Sequence, residues 1–261
     1  MSESERTTSV RILSLRQWSD HLFSFTVERP QDFRFKAGQF ARLGLPSNHP
    51  DASADGCVWR AYSMVSGPYD AVLEFYSIVV PQGAFTTVLA NLRVGDSLWL
   101  DRQAYGYLTC DRFPRGGDLW LLSSGTGIAP FMSMLADPDT WSQFDRILLV
   151  HSVRTQQELA YRDQIEGLPD HPLWGPEAHK LSYLPVVTRE TSSFPNSRIP
   201  SLIESGALTQ RLRAELSLDH SRFMICGNPE MVKDCKESLK KQGFNTDRPS
   251  RPGQIATENY W

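Results

Sequence analysis

The stretch DLWLLSSGTGIAPFMSMLAD, residues 118–137, is predicted to form a buried strand, a glycine turn and a helix. Gly125 and Gly127 allow the backbone to turn tightly and to approach a ligand closely. The helix that follows offers unpaired N–H groups and the positive end of its dipole, both of which suit a diphosphate. Pro130 stands where a dinucleotide fingerprint has its third glycine, so the turn taken alone can equally be structural.

Strand-like and helix-like segments alternate beyond residue 137. Strands are predicted at FDRILLVHSV, LSYLPVVT and SRFMICG, and helices at TQQELAYRDQIEGL and NPEMVKDCKESLKKQG. In the last helix Met231, Cys235 and Leu239 recur every four residues and therefore share one face. This alternation predicts a doubly wound α/β domain, with a parallel sheet that helices cover on both faces.

The first hundred residues have a period of two instead. HLFSFTVE alternates Phe23, Phe25 and Val27 with polar residues, and GQFARLGL, WRAYSMV, VLEFYSIVV and DSLWLDRQ are further short strands. One short helix is predicted at FTTVLANL. Many short strands separated by turn residues predict an antiparallel β-barrel. Since DRFPRGGD has the composition of a linker, we predict a barrel domain over residues 1–112 and an α/β domain over residues 118–261.

Composition excludes several classes of function. The chain has 261 residues and a net charge of −3, which gives no overall attraction to nucleic acid or to an anionic membrane. It has neither an apolar run of the ~20 residues that cross a bilayer nor a secretory signal. Its four cysteines form no CxxC pair and no cluster with histidine, which predicts no metal site and no disulfide framework. A reducing cytoplasm is the expected location.

Three arginines predict that the α/β domain binds NADP in preference to NAD. An NAD site would place an acidic residue about 20 positions after the glycine turn, but RILLVHSVR ends on Arg154. Arg189 in VVTRE and Arg198 in NSRIP follow the next predicted strand. Each arginine alone is compatible with an ordinary surface charge, whereas three at loop positions favour the 2′-phosphate of NADP.

The segment RAYS, residues 60–63, contains side chains that can contact a ligand. In a strand, Arg60 and Tyr62 face one side, and Ala61 and Ser63 face the other. An arginine can bind a diphosphate, a tyrosine can cover a flat ring and a serine hydroxyl can reach a ring nitrogen. These four residues alone do not define a site.

Together with LEFY, GTGIAP, VHSVR, SRIPSLIESG, CGNPEMV and ENYW, the RAYS segment resembles the ferredoxin–NADP reductase family, most closely the short bacterial members that end in Tyr-Trp. The motifs follow the family's order from about Val10 to Trp261. The resemblance implies hydride transfer between NADPH and FAD, and single-electron transfer between FAD and ferredoxin or flavodoxin. It leaves open the physiological carrier, the direction of electron flow and the oligomeric state.

The resemblance also implies roles for individual residues on the flavin side. Arg60 would bind the FAD diphosphate, Tyr62 would pack against the isoalloxazine and Ser63 would bind near the flavin N5, with Ala61 between them. The residues that match the strand beside the flavin and its ribityl chain are Tyr76, Ser77, Ile78 and Val79. Those that match the turn beside the diphosphate are Ala84, Phe85 and Thr86.

On the nucleotide side the resemblance places Thr126 close to both FAD and the nicotinamide. It assigns Cys226 to the nicotinamide ring and Glu258 to proton traffic at the flavin. Tyr260 would stack on the isoalloxazine and Trp261 on the adenine end of FAD, although both also fit ordinary core packing. The residues that match the NADP-binding positions are Val153, Arg154, Thr188, Arg189 and Arg198.

Two other readings share this plan. One is a ferric-siderophore or other NADPH-dependent flavin reductase, and the second is a non-catalytic module that senses FAD or NADPH. An acidic carrier protein would require a local basic face on a chain of net negative charge. The candidates for such a face are Arg29, Arg34, Lys36, Arg42, Lys233, Lys236, Lys240 and Lys241.

Overall fold

The computed structural model describes residues 6–47, 49–53 and 55–259. The contacts between residues divide the chain into two compact units. The first unit comprises Met1–Thr109 and Ala129–Asp137, and the second comprises Cys110–Ile128 and Pro138–Trp261. Each unit contains one sheet.

The sheet of the first unit is antiparallel and has six strands in the order β4-β3-β6-β1-β2-β5. An isolated antiparallel bridge between Met64 and Phe75 joins its two edges, so the sheet closes as a barrel and the predicted barrel is confirmed. The strands are β1 (Thr7–Ser19), β2 (Leu22–Glu28), β3 (Phe40–Pro46), β4 (Cys57–Ser63), β5 (Val72–Ile78) and β6 (Ser97–Asp101).

Alternating apolar side chains fill the interior of this barrel. Phe25 of β2 and Phe75 of β5 are register partners, and their ring centroids lie 5.5 Å apart. Leu43 and Leu100 pair in the same way across β3 and β6, and both are fully buried. Burial of such side chains stabilises the fold by ~1.5–3 kcal/mol each. This gain explains why these short alternating segments form strands.

The described residues of the first unit also contain the helices α1 (Thr86–Leu89) and α2 (Ala129–Leu135). The chain that leaves α2 packs tightly against the barrel loops. A Cβ atom on Gly67 would lie 2.8 Å from the Cβ of Ala136, and one on Gly38 would lie 2.5 Å from the Cε of Met134. Since real Cβ atoms do not approach other atoms so closely, only glycine fits at these two contacts.

The sheet of the second unit is parallel, with the order β11-β10-β7-β8-β9. Helices bury apolar side chains against it, and the opposite face is also covered, since Leu121 and Leu149 are fully buried. The predicted α/β architecture is therefore confirmed. The strands are β7 (Asp118–Ser124), β8 (Arg146–Val153), β9 (Leu181–Val187), β10 (Ser221–Gly227) and β11 (Ile255–Asn259). The helices are α3 (Pro138–Gln143), α4 (Arg162–Glu166), α5 (Ile199–Glu204), α6 (Ala207–Leu212) and α7 (Pro229–Lys241).

One predicted helix is wrong. The segment TQQELAYRDQIEGL forms a 3₁₀ turn over Gln156–Glu158 and then the separate short helix α4. Tyr161 stands between them with a φ of 64°, in the left-handed region, and its side chain is buried. An L-residue in that conformation ends a right-handed helix. Burial of the tyrosine therefore outweighs the local helical preference.

The length and composition of the described helices bear on whether any of them could span a membrane. Among the residues described, none of the helices has both the length and the apolar character needed to cross a bilayer.

Candidate functional site

Tyr62 of β4 lies at the inner wall of the barrel. Its ring meets Phe25 and Phe75 edge-on, with centroid distances of 6.2 and 6.3 Å, and it tilts against Phe85 at 5.6 Å. Its hydroxyl lies 3.0 Å from the Oγ of Ser77. Burial raises the pKa of Tyr62 to about 12, against a smaller opposing effect of that hydrogen bond. The hydroxyl of Tyr62 therefore stays protonated near pH 7. Its hydrogen bond links Tyr62 to Ser77, and both residues belong to the predicted flavin side of the site.

Arg60 extends from the same strand into solvent. Its Nη2 lies 3.2 Å from the Oδ2 of Asp51, and its Nη1 donates to the carbonyl of Trp59 at 2.9 Å. The side chain of Arg60 is 45% exposed, so an anion can reach it in competition with Asp51. The sequence prediction missed Asp51. The only signal for it was a carboxylate in the polar loop before the strand.

The remaining flavin-side residues lie along β5 and the turn after it. Thr86 fixes that turn, because its Oγ1 accepts the N–H of Val80 at 3.0 Å. The hydroxyl is therefore already used within the turn. The side chains of Ser63, Tyr76, Ser77 and Phe85 are buried, those of Ile78, Val79, Ala84 and Thr86 are partly buried, and that of Ala61 is exposed.

In the second unit, the glycine turn forms a 3₁₀ turn over Gly125–Ile128. A Cβ on Gly127 would lie 2.3 Å from the carbonyl oxygen of Cys226, whereas one on Gly125 would meet no atom of the described residues within 4 Å. Gly127 thus makes room for the backbone of β10, and Gly125 leaves space open for a ligand. Thr126, between them, is partly buried.

Four residues on consecutive strands form one row across the sheet. Glu258 of β11 pairs in register with Cys226 of β10, which pairs with Ser123 of β7, which pairs with His151 of β8. Cys226 is fully buried. The row lies near the carboxyl ends of the parallel strands, where α/β sheets bind ligands. The structure therefore brings the two predicted residues Cys226 and Glu258 next to each other.

His151 is a residue of this row that the sequence prediction missed. Its Nε2 lies 3.0 Å from the carbonyl oxygen of Gly125. Burial lowers the pKa of His151 to about 4, although the hydrogen bond to Gly125 acts in the opposite direction. The imidazole is therefore neutral near pH 7. The available signal was a single histidine directly after the apolar run ILLV of this strand.

The arginines predicted for the 2′-phosphate lie beyond the carboxyl ends of β8 and β9 and before α5. The N–H of Arg189 donates to the carbonyl of Arg154 at 2.9 Å, and the N–H of Thr188 donates to that of Val153 at 3.0 Å. These bonds continue the strand pairing, so Arg154 and Arg189 are neighbours. Arg154, Arg189 and Arg198 are exposed, and none forms an ion pair with an acidic residue of the described chain. Their guanidinium groups can therefore receive a phosphate.

Three further predictions concern the terminal aromatic pair, the absence of a metal site and the basic residues suggested for docking. Tyr260 and Trp261 lie outside the described residues. No cluster of three or more potential metal ligands occurs in the part of the chain that the structure describes. Of the basic residues suggested for docking, Arg29 donates to the carbonyls of Phe33 and Asp70 within the barrel loops, and Lys241 pairs with Glu204 at 3.0 Å.

Comparisons with known proteins agree over nearly the whole chain. Residues 121–237 match the family model of the oxidoreductase NAD-binding domain. The chain is 40% identical over 254 residues to a ferredoxin–NADP reductase of Pseudomonas aeruginosa, which covers 95% of each sequence. It is 36% identical over 254 residues to a flavodoxin/ferredoxin–NADP reductase of Escherichia coli, with 96% of this chain and 97% of the relative covered. A crystal structure of a ferredoxin NADP⁺ reductase from Neisseria gonorrhoeae with bound FAD and NADP is similar at a TM-score of 0.88 and 38% identity, with 97% of this chain and 98% of that chain covered.

Proposed function

The chain belongs to the family of ferredoxin– and flavodoxin–NADP reductases, and we propose the following roles for its residues in that family's reaction. It is an FAD-dependent oxidoreductase that uses NADPH and has ferredoxin or flavodoxin as its protein partner. When bound, FAD supplies the redox chemistry, because it can exchange a hydride with nicotinamide and single electrons with a carrier. The residues of this chain bind and orient the nucleotides.

The described residues fit FAD on the barrel side. Arg60 holds the diphosphate, which replaces Asp51 as the partner of its exposed guanidinium; such charge-assisted pairs are among the stronger hydrogen bonds. Tyr62, fixed by three phenylalanine rings and by Ser77, supports the isoalloxazine, while Ser63 donates near its N5. The other residues proposed to line the flavin, its ribityl chain and its diphosphate are Ala61, Tyr76, Ser77, Ile78, Val79, Ala84, Phe85 and Thr86.

The described residues also fit NADP in the α/β unit. The observation that carries this assignment is the set of exposed arginines Arg154, Arg189 and Arg198, none of which has a carboxylate partner among the described residues. Only NADP brings a 2′-phosphate to them. Val153 and Thr188 lie beside this surface, and Thr126, between the two glycines of the turn, contacts the nucleotide.

Cys226 and Glu258 carry the proposed catalytic roles beside Ser63. Cys226 contacts the nicotinamide ring and restricts its position, and Glu258 holds a proton at its carboxyl group for exchange with the flavin site. We also assign Tyr260 to stacking on the isoalloxazine and Trp261 to stacking on adenine. The corresponding domains are residues 1–112 for FAD and residues 118–261 for NADP and the tail.

A reducing cytoplasm is the proposed location. None of the four cysteines, all of which lie in the described part of the chain, forms a disulfide, and three of them are buried. Free thiols persist where the thiol pool is reduced.

The experiment that tests the function is a spectroscopic titration of the purified protein. We expect visible flavin absorbance, which NADPH bleaches under anaerobic conditions and which an added oxidised ferredoxin or flavodoxin restores. A ferric-siderophore reductase would reduce ferric chelates much faster than either carrier. A sensing module would bind NADPH without turnover of a dye acceptor. Absence of flavin absorbance would refute the proposal.

A further inference from the structure

His151 is a fully buried histidine that none of the roles above uses. Its Nε2 lies 3.0 Å from the carbonyl oxygen of Gly125 in the glycine turn. Because a carbonyl oxygen can only accept, Nε2 must carry the ring hydrogen. The neutral ring then presents its other nitrogen, Nδ1, as an acceptor.

That second nitrogen is buried, and no donor of the described residues reaches it. A buried polar atom without a partner is unfavourable, so an aliphatic side chain would satisfy this strand position better. An aliphatic side chain, however, cannot donate to Gly125. The presence of an imidazole here is therefore explained by the hydrogen bond that it gives to the turn and not by its packing.

The hydrogen bond also fixes the direction of a neighbouring donor. The carbonyl of Gly125 and the N–H of Thr126 belong to one planar peptide unit, and the structure contains no cis peptide bond among the described residues. In a trans peptide the two groups point in opposite directions. With the carbonyl directed at the buried ring of His151, the N–H of Thr126 points away from that ring.

Two further contacts of the turn come from β10 and from Asn228, the residue that follows it. The N–H of Asn228 donates to the Oγ of Ser124 at 3.0 Å, and Gly127 packs against the carbonyl of Cys226. These contacts hold the residues on either side of the Gly125–Thr126 peptide. The bond from His151 acts on the peptide itself, at Gly125, whose φ of 53° is not restricted by a Cβ atom of its own.

We propose that His151 is a positioning residue for the nicotinamide nucleotide, which holds the Gly125 carbonyl so that the Thr126 N–H is directed at an oxygen of the bound diphosphate. This inference rests on the proposed function, because it requires NADP(H) at the glycine turn. It assigns to His151 an effect on nucleotide capture that acts through the backbone.

Three variants of His151, which differ in whether the side chain can donate a hydrogen bond to Gly125, test the proposal. The amide of His151→Gln occupies the place of Nε2 and can donate to Gly125, whereas the amide of His151→Asn is one carbon shorter and cannot. His151→Leu removes the donor and the orphaned nitrogen together. We expect the Kd of NADP⁺, measured by calorimetry on the FAD-loaded protein, to rise about tenfold for Asn and Leu and to stay within threefold of the wild type for Gln.

Ser123→Ala is the matched control. Ser123 is the register partner of His151, and its buried hydroxyl donates to the carbonyl of Val150 at 2.9 Å. Its loss removes a hydrogen bond from the same row without changing the turn, so the Kd of NADP⁺ should remain that of the wild type. An equal weakening by Ser123→Ala would show that any damage to the row suffices and would overturn the proposal.

Amide hydrogen exchange without nucleotide gives a second readout. Exchange over residues 125–128 should be at least tenfold faster in His151→Asn and His151→Leu, and close to wild type in His151→Gln. The proposal is overturned if Gln behaves like Asn in both measurements, or if all variants match the wild type. A wild type that carries FAD but binds no NADP⁺ would refute the proposed function itself, which separates the two failures. If His151→Leu does not fold, the comparison of Gln with Asn decides.

Discussion

Cys226 and Glu258 are register partners on the adjacent parallel strands β10 and β11. The pair lies near the carboxyl ends of the sheet, and the carbonyl of Cys226 is also the surface on which Gly127 of the glycine turn packs. Strand pairing thereby fixes the spacing of the carboxyl group and the thiol, and close backbone packing places the glycine turn beside them.

This arrangement predicts a catalytic effect of Glu258. Glu258→Gln keeps the size of the side chain and removes its capacity to exchange a proton. We expect kcat for NADPH-dependent dye reduction to fall about tenfold, below the range of ~10²–10⁴ for an essential acid or base. The exposed Glu230→Gln on α7 should have no effect. Unchanged kcat in the Glu258 variant would remove this residue from the reaction.

A second prediction concerns the selection of NADPH. Arg154→Ala should lower kcat/KM for NADPH about tenfold and leave that for NADH nearly unchanged, because only NADPH has a phosphate to pair with the guanidinium. A charge-assisted hydrogen bond contributes ~1.5–3 kcal/mol at best, and exposure reduces it. Steady-state kinetics with both nucleotides measure the difference, and Arg211→Ala, an exposed arginine on α6, is the control. Equal losses with both nucleotides would exclude Arg154 from the 2′-phosphate site.

The buried His151 predicts a dependence of stability on pH. In the folded protein its pKa is about 4, below the ordinary value of 6.5. Between these values the unfolded chain binds a proton that the native state does not, so stability is retained above pH 6.5 and falls as the pH drops towards 4. The loss attributable to this residue is roughly 3 kcal/mol. Denaturant unfolding at pH 7 and pH 4.5 should show a smaller loss in His151→Gln than in the wild type, and parallel losses would contradict the assignment.

The ion pair between Arg112 and Asp247 predicts a stability effect. The Nε of Arg112 donates to the Oδ2 of Asp247 at 2.9 Å. The other carboxylate oxygen of Asp247, Oδ1, accepts the N–H of Gly253 at 3.0 Å. Arg112→Ala leaves this largely buried carboxylate without its cation and should reduce the free energy of unfolding by roughly 3 kcal/mol. Arg11→Ala, which breaks the exposed pair with Glu28, should change the melting temperature little.

The terminal aromatic pair predicts a change in cofactor binding. Removal of Tyr260 and Trp261 should weaken FAD binding and strengthen NADP⁺ binding, because the stacked tyrosine would compete with nicotinamide for the flavin. The measurements are the Kd of FAD and the charge-transfer absorbance on addition of NADP⁺. If both match the full chain, the two residues serve packing only.

The sequence predicted the fold well because its two halves carry different periodicities. The five segments of period two before residue 102 correspond to β2–β6, and the four apolar runs after residue 117 correspond to β7–β10. No segment was predicted for the long first strand β1 or for the short last strand β11. The helix across Tyr161 was predicted wrongly, since a local pattern does not show that a tertiary pocket will hold this tyrosine in a left-handed conformation. The burial of Tyr161 in the folded protein therefore determines the backbone conformation of that segment.

Candidate site residues could be proposed from the sequence where the expected role belongs to the residue's own side chain, as at Arg154 or Arg60, and these roles stay predictions. Partners that are distant in the chain were not predictable. Asp51 faces Arg60 only because a loop folds back to β4, and His151 reaches Gly125 only through the register of β7 and β8. Strand register and loop closure arise from the whole fold, so no local motif encodes these two contacts.

The first unit is discontinuous in the chain, and this limits how the protein can be divided. A fragment that stops at Thr109 retains every strand of the barrel but lacks Met134 and Ala136, which pack against Gly38 and Gly67. Such a fragment would expose the closely fitted surface against which these two residues pack. Exchange of the barrel between homologous enzymes therefore requires residues 129–137 to be transferred with it, and a simple crossover at the linker would join two surfaces that were not shaped for each other.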